Sequence, residues 1–176
     1  NMKNIVATLS LLFATTLSAQ VAIGKATVSS PAVSLEFYDN ADNTRGIILP
    51  WVTSTAAVTG AVNGTIVYNT ADRKVYVKYA SGWRDLSVDN TGTVTTTLQD
   101  SLTDQDTAKV LIGGDPSTDT TPGILVLADT NKAMVLPKVA SPHLNIVNPS
   151  PGMIVYDTTK KQLAVFNGTV WSFWKP

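Results

Sequence analysis

Apolar and polar residues alternate with a period of two around position 77. Val75, Val77 and Tyr79 share one face and Tyr76 and Lys78 the other, the pattern of a half-buried strand. A second apolar run at 65–69 precedes it, and Thr70-Ala71-Asp72-Arg73 between them has the length and turn chemistry of a hairpin. The same arrangement recurs at 153–156 and 162–166, around Asp157-Thr158-Thr159-Lys160-Lys161. A third strand follows each hairpin, entered through Ser81-Gly82 or Asn167-Gly168 and carrying Trp83 or Trp171. The pattern therefore predicts two three-stranded meanders. Upstream, the apolar triplets 47–49 and 134–136 read as short strands stopped by Pro50 and Pro137, which lack the ladder N–H. Residues 54–62 suit one or two helical turns capped by Ser54. The matching stretch holds Pro142, Pro149 and Pro151, which predicts no helix there.

The whole pattern is written twice. Val21-Ala22-Ile23-Gly24 returns as Val110-Leu111-Ile112-Gly113, and Ser30-Pro31 as Thr121-Pro122. Asp42-Asn43-Thr44-Arg45-Gly46-Ile47-Ile48-Leu49-Pro50 returns as Asp129-Thr130-Asn131-Lys132-Ala133-Met134-Val135-Leu136-Pro137. Gly64-Thr65-Ile66-Val67-Tyr68-Asn69-Thr70 matches Gly152-Met153-Ile154-Val155-Tyr156-Asp157-Thr158, and Trp83 falls on Trp171, with the offset between 87 and 91 residues throughout. Self-similarity at a nearly fixed period marks a supersecondary unit used more than once. The expected division is a signal peptide at 1–19, a first β repeat unit at 20–88, a linker or short neck at 89–108 and a second β repeat unit at 109–176. The fold class is mainly β: two tandem β-meander units joined by a polar Thr/Asp-rich linker. That linker holds Thr91, Thr93, Thr95, Thr96, Thr97 and Thr103 with Asp100, Asp104 and Asp106, and reads as flexible or extended. The alternative is a short helical neck along Val94, Leu98 and Leu102, which its β-branched Thr residues oppose.

Composition agrees with strands and turns. Of 176 residues 24 are Thr, and 12 of the 13 acids are Asp, with Glu36 the single Glu. Thr and Val suit pleated surfaces and Asp suits turns, whereas helices favour Glu, Lys, Leu and Ala. Thirteen basic residues against thirteen acidic ones give a net charge of zero, which leaves no basic field for nucleic acid. With no Cys, disulfides, thiolate zinc sites, iron–sulfur clusters and a Cys nucleophile are excluded.

The first residues give an address. Lys3 is a short positive region, residues 5–17 are apolar apart from small hydroxyls, and Ser18-Ala19-Gln20 offers a small-residue cleavage point. The apolar stretch falls short of the ~20 residues a spanning helix needs. The expectation is export with cleavage after Ala19, leaving no stable membrane span, and the absence of Cys excludes a lipoprotein anchor.

The order Val-x-Ile-Gly, Ser/Thr-Pro, an apolar triplet ending in Leu-Pro, Gly-x-Ile-Val-Tyr-Asn/Asp-Thr and a terminal Trp resembles a tandem repeat of exported Bacteroidetes surface proteins. Similar units occur in tail-fibre-like and adhesin-like proteins. The resemblance implies a non-catalytic, β-rich, extracellular structural or adhesive module built into larger fibres. Four short sequences, Asp100-Ser101-Leu102, Asp106-Thr107-Ala108, Asp119-Thr120-Thr121 and Asp157-Thr158-Thr159, look like the O-glycosylation acceptor pattern of such proteins. Ser101, Thr107, Thr120 and Thr158 are the candidate acceptors.

Catalytic chemistry has little support. His143 is the single His, it has no counterpart in the first copy, and no nucleophile elbow accompanies it. Glu36 and the Asp residues fall in turn-like contexts rather than as a carboxylate pair. Ile112-Gly113-Gly114-Asp115 lacks the Gly-Lys-Ser/Thr of a phosphate cradle. The stretches 39–43 and 100–106 hold oxygen ligands but not EF-hand spacing, so turns explain them better than Ca²⁺. No catalytic residue, metal or cofactor is expected. Among the aromatics, Tyr68, Trp83, Tyr156 and Trp171 recur at matched positions, which predicts packing. Trp51 and Trp174 have no matched aromatic and are the candidates for stacking on a sugar. The first reading is thus an exported cell-surface or extracellular structural, adhesin-like protein, with the periplasm as a further compartment. Its expected partners are itself, as a homotrimer or filament, or other surface proteins, because short meanders leave open edges. The competing reading is a small secreted carbohydrate-binding module, monomeric and with glycans as partners.

Overall fold

The computed structural model describes residues 20–174 apart from Asp104 and Asp106. The expected signal peptide at 1–19 lies outside the described residues, as do two of the acids considered for Ca²⁺. Mainly strands form, as the alternating pattern predicts. In the first copy, β1 (Val21–Ile23) lies parallel to β2 (Val33–Phe37). The triplet before Pro50 gives β3 (Ile47–Ile48), and β4 (Trp51–Val52) resumes directly after the proline. The meander follows as β5 (Ile66–Asn69), β6 (Lys74–Tyr79) and β7 (Gly82–Asp85). The second copy repeats this order. β8 (Val110–Ile112) is parallel to β9 (Leu125–Leu127), then come β10 (Ala133–Val135) and β11 (Lys138–Val139), and finally β12 (Met153–Asp157), β13 (Gln162–Phe166) and β14 (Trp171–Trp174).

Registers coincide between the copies at an offset of 88 residues. Ile66 opposite Val77 and Tyr68 opposite Val75 become Ile154 opposite Val165 and Tyr156 opposite Leu163. Lys78 opposite Trp83 becomes Phe166 opposite Trp171. The hairpin turns agree as well, since Arg73 and Lys161 at matched positions both adopt positive φ, 63° and 54°. The strands after the prolines, β4 and β11, run parallel to β5 and β12 at matched positions. The triplet pattern does not reveal them, because each is two residues long and adjoins a residue that stops a ladder.

The copies interleave. β10 of the second copy joins β1 and β2, and β3 of the first copy pairs antiparallel with β12, Ile47 opposite Ile154 and Ile48 opposite Met153. Gly46 makes the second crossing close: a Cβ there would lie 2.5 Å from Val155 Cγ1 and 2.7 Å from Met153 Cγ. Two apolar clusters result. One joins the copies, with Leu49, Tyr68 and Val75 against Ile154 and Val165. The other belongs to the second copy, where Val139, Ile146, Met153, Val155, Ala164 and Phe166 pack with Trp171 and Phe173.

Two local expectations change. Ser54 caps a single 3-10 turn at Thr55–Ala57, its Oγ accepting from Ala57 N at 3.1 Å. The matching stretch nevertheless forms a helix, α1 (Pro142–Asn145), despite its prolines. Pro142 sits at the start, where a helix has no partner for an N–H anyway. In the stretch 89–108 the Val94, Leu98 and Leu102 seam is not a helix. Turns occupy the middle, and Leu98 and Leu102 are exposed. The beginning of this stretch is packed rather than free. Val94 enters the cluster between the copies, and Gly92 and Gly168 permit backbone contact with the turn after β13 that any Cβ would block.

Candidate self-association surface

Tyr68 stands at the centre of the contact between the copies. β5 presents it inward, it is 0 % exposed, and its hydroxyl donates to Asn167 O at 2.8 Å. Burial pushes its phenol up to about 12. Trp51 from β4 lies beside it, ring centroids 6.2 Å apart, and donates Nε1–H to Pro151 O at 2.9 Å. Leu49 N–H donates to Gly152 O, and Gly152 accommodates Tyr68, whose Cβ would lie 2.9 Å from a Cβ at that position. One side of this contact is therefore built from the first copy (Leu49, Trp51, Tyr68) and the other from the start and end of the second copy's hairpin (Pro151, Gly152, Ile154, Asn167).

The contact is head-to-tail. Its first side recurs in the second copy as Leu136, Lys138 and Tyr156, and its second side in the first copy as Asn63, Gly64, Ile66 and Tyr79. Of these recurrences Leu136 and Ile66 pack on the cluster that joins the copies, and the rest of the set is more open. Tyr156, expected to pack as Tyr68 does, is 37 % exposed, and Tyr79 and Gly64 are exposed too. The physical difference is that Tyr68 lies against the second copy's hairpin, whereas Tyr156 is left partly open among the described residues. Trp174, 44 % exposed, closes the same face at the end of β14. Ile48 is 51 % and Leu125 48 % exposed on strands with one unpaired edge.

The structure thus sorts the aromatics differently from the sequence. Trp51 is engaged in packing between the copies, while Trp174 remains open. Trp171 lies 5.3 Å from Phe166 against the second cluster, and Trp83 is half-buried. Asn167 is a position of the joint between the copies that the repeat pattern missed, because its counterpart Tyr79 shares no chemistry with it. Only its place before Gly168 marked it as a turn residue.

The remaining polar candidates organise loops. Asp157, fully buried, accepts from the backbone N–H of Ser141, Thr159 and Lys160 at 3.1, 2.9 and 3.3 Å, joining α1 to the hairpin turn. Asn69 at the matched position accepts from Ala71 N. Desolvation alone would raise the buried Glu36 carboxyl, but Ser29 N–H at 2.6 Å and Lys25 Nζ at 3.0 Å hold it below the usual range. In the stretch 39–43, Asp39 pairs with Lys25 and Lys138, and Asn43 donates to Tyr38 O and Lys138 O. Those oxygens and amides clasp a loop. No cluster of His, Asp or Glu suited to a metal occurs among the described residues. His143 is exposed and sits edge-on to Phe173, ring centroids 5.5 Å apart. Ser101, Thr107, Thr120 and Thr158 are all exposed. No helix among the described residues is long and apolar enough to cross a membrane.

A mainly β chain with interleaved strands is the class this geometry defines. Residues 115–175, most of the second copy, match the family model described as a phage tail like trimerisation region. The match supports a resemblance to tail-fibre-like proteins over that part of the chain. No curated protein matches, and no solved structure matches.

Proposed function

We propose that this protein is a non-catalytic structural element that self-associates as a trimer within an exported, adhesin-like surface fibre. The observation that carries the reading is the match of residues 115–175 to a trimerisation region. The exposure of Tyr156 where its repeat counterpart Tyr68 is fully buried agrees with it. Apolar side chains arranged for packing but left open mark an interaction surface. The signal-peptide pattern at 1–19 supports export to the cell surface or extracellular space, and the exposed hydroxyls of Ser101, Thr107, Thr120 and Thr158 suit glycosylation there.

The carbohydrate-binding alternative keeps one observation in its favour, the open ring of Trp174. Light scattering on the purified chain, run beside a glycan array, separates the two readings. Three chains per particle and no glycan signal are expected. A monomer that binds glycans through Trp174 would replace this reading with the second. N-terminal sequencing of chain exported from a Gram-negative host is expected to begin at Gln20, and an intact N-terminus on membrane-bound protein would overturn the export reading.

A further inference from the structure

The sheets of the two copies differ by one strand each. β1 and β2 carry β10 as a third strand, whereas β8 and β9 form a sheet of two. The second meander and β11 carry β3 as a fifth strand, whereas β4, β5, β6 and β7 form a sheet of four. The additional strands, β3 and β10, are themselves counterparts in the repeat, with Ile47 aligned to Met134 and Pro50 to Pro137. Each copy therefore shows one complete sheet and one that lacks its final strand.

A single operation completes both. Let the first unit of another molecule sit against the second unit of this one as the second unit sits against the first within the chain. β10 then runs along β5 of the newcomer, and the newcomer's β3 runs along β9. We infer that copies of this chain join by this reciprocal strand exchange, an inference that rests on the self-association reading and names its surface. The occupant is a second copy, because the chain already contains this strand pairing and β5 and β9 each lack the strand that their counterparts β12 and β2 carry.

The backbone groups are in place. Ala133 N–H donates to Ala32 O, so residues 133 and 135 address β2, and alternation along the strand directs the groups of Met134 and Leu136 to the other edge. Their counterparts in β3 are the groups that meet β12, as Leu49 N–H does at Gly152 O, 3.1 Å. On the receiving side β4 pairs with Tyr68 and Asn69 alone, leaving Thr65 and Ile66 of β5 open opposite β6. Leu136 N–H then has Gly64 O as its acceptor.

Side chains follow the same correspondence. Gly152 makes room for Tyr68, and the chain repeats this with Gly64 and Tyr156; a Cβ at Gly64 would meet nothing within 4 Å. Gly46 approaches Met153 and Val155, whereas its counterpart Ala133 would face Thr65 and Val67. Thr65 is shorter than Met153 and relieves one approach, whereas Val67 matches Val155, which would lie 2.5 Å from a Cβ at Gly46, so Val67 must turn aside to admit the Ala133 methyl. The apolar side chains Ile48 and Leu125 lie on β3 and β9, the second pair of strands to be joined. A head-to-tail contact closes into a ring when its rotation allows and otherwise runs on as a filament; the trimerisation match favours closure.

The chain has no Cys, which makes designed disulfides unambiguous. Ile48 opposite Met153 becomes Val135 of one copy opposite Thr65 of the next, a cross-strand pair with Cβ atoms about 5 Å apart. The test is the Thr65→Cys/Val135→Cys double variant of the full chain, oxidised with copper phenanthroline. Non-reducing gels should show covalent dimer and trimer in the double variant, with neither single variant linking beyond dimer. The Ile66→Cys/Met134→Cys pair serves as a second probe should the first fail to fold. Native mass spectrometry of the same samples separates the two levels of failure. Trimers with no covalent link in either pair would overturn the strand exchange while leaving self-association intact. Monomers in the unmodified protein would overturn both.

Discussion

At the scale of single residues the two tyrosines of the repeat are the most informative pair. Tyr68 and Tyr156 occupy the same position of the same motif, yet one is fully buried with its hydroxyl bonded to Asn167 O and the other is 37 % exposed. Tyr68→Phe leaves a buried carbonyl without its donor, a loss of about 1–3 kcal/mol. Tyr156→Phe removes no bond of that kind within the chain and should stay within about 0.5 kcal/mol. Urea unfolding of the two variants checks this, and equal effects would contradict the asymmetry. Glu36 supplies a pH dependence. Its carboxyl is held below its ordinary value in the folded chain, so its stabilisation is present above about pH 4.5 and is lost as pH falls through the lower folded value. Glu36→Gln should flatten the acid limb of a plot of midpoint against pH, and an unchanged limb would exclude the Ser29 and Lys25 contacts as its source. The sequence marked Tyr68 and Tyr156 as equivalent and could not tell them apart, because burial is decided by what sits opposite. Trp51 shows the same limit: its lack of an aromatic counterpart suggested a ligand, whereas its indole N–H serves the joint at Pro151.

At the scale of elements, the meanders were legible as strands and turns, although the second hairpin's turn is one residue shorter than expected because Asp157 ends the strand opposite Gln162. Alternation at 75–79, turn chemistry at 70–73 and the repeat mark the strands and their order, and the structure adds the facing pairs, which match between the hairpins at an offset of 88. The strands after Pro50 and Pro137 were not legible, since two-residue strands carry no period. The helix at α1 was hidden by Pro142, which forbids a helix interior but suits its first position. Buried Asp157 ties α1 to the turn after β12 through three backbone N–H groups. Asp157→Ala should destabilise the chain by on the order of 3 kcal/mol, because several hydrogen bonds to a charged acceptor are lost together. Asn69→Ala at the matched position, where one such bond is made, should cost about 1 kcal/mol. Thermal melts of the two variants give the comparison, and a larger shift for Asn69→Ala would contradict the assignment of Asp157 as the tie.

At the scale of the whole molecule, the repeat predicts two tandem units joined by a linker, whereas β3 and β10 each pair across that expected division, so the strands do not separate into two independent units. Exchange could not be read from one sequence, because the apolar triplets look the same whichever sheet they join. It has a thermodynamic consequence: a chain whose open edges are closed by other copies gains stability by mass action, so its melting temperature should rise with protein concentration. Calorimetry over a hundredfold range of concentration tests that, and a constant melting temperature would argue for a free-standing monomer. The most direct measurement is native mass spectrometry of the purified chain at micromolar concentration and neutral pH. A dominant species of three chains is predicted, falling to single chains in a Tyr156→Arg variant that stays folded. A single chain at every concentration would contradict the account.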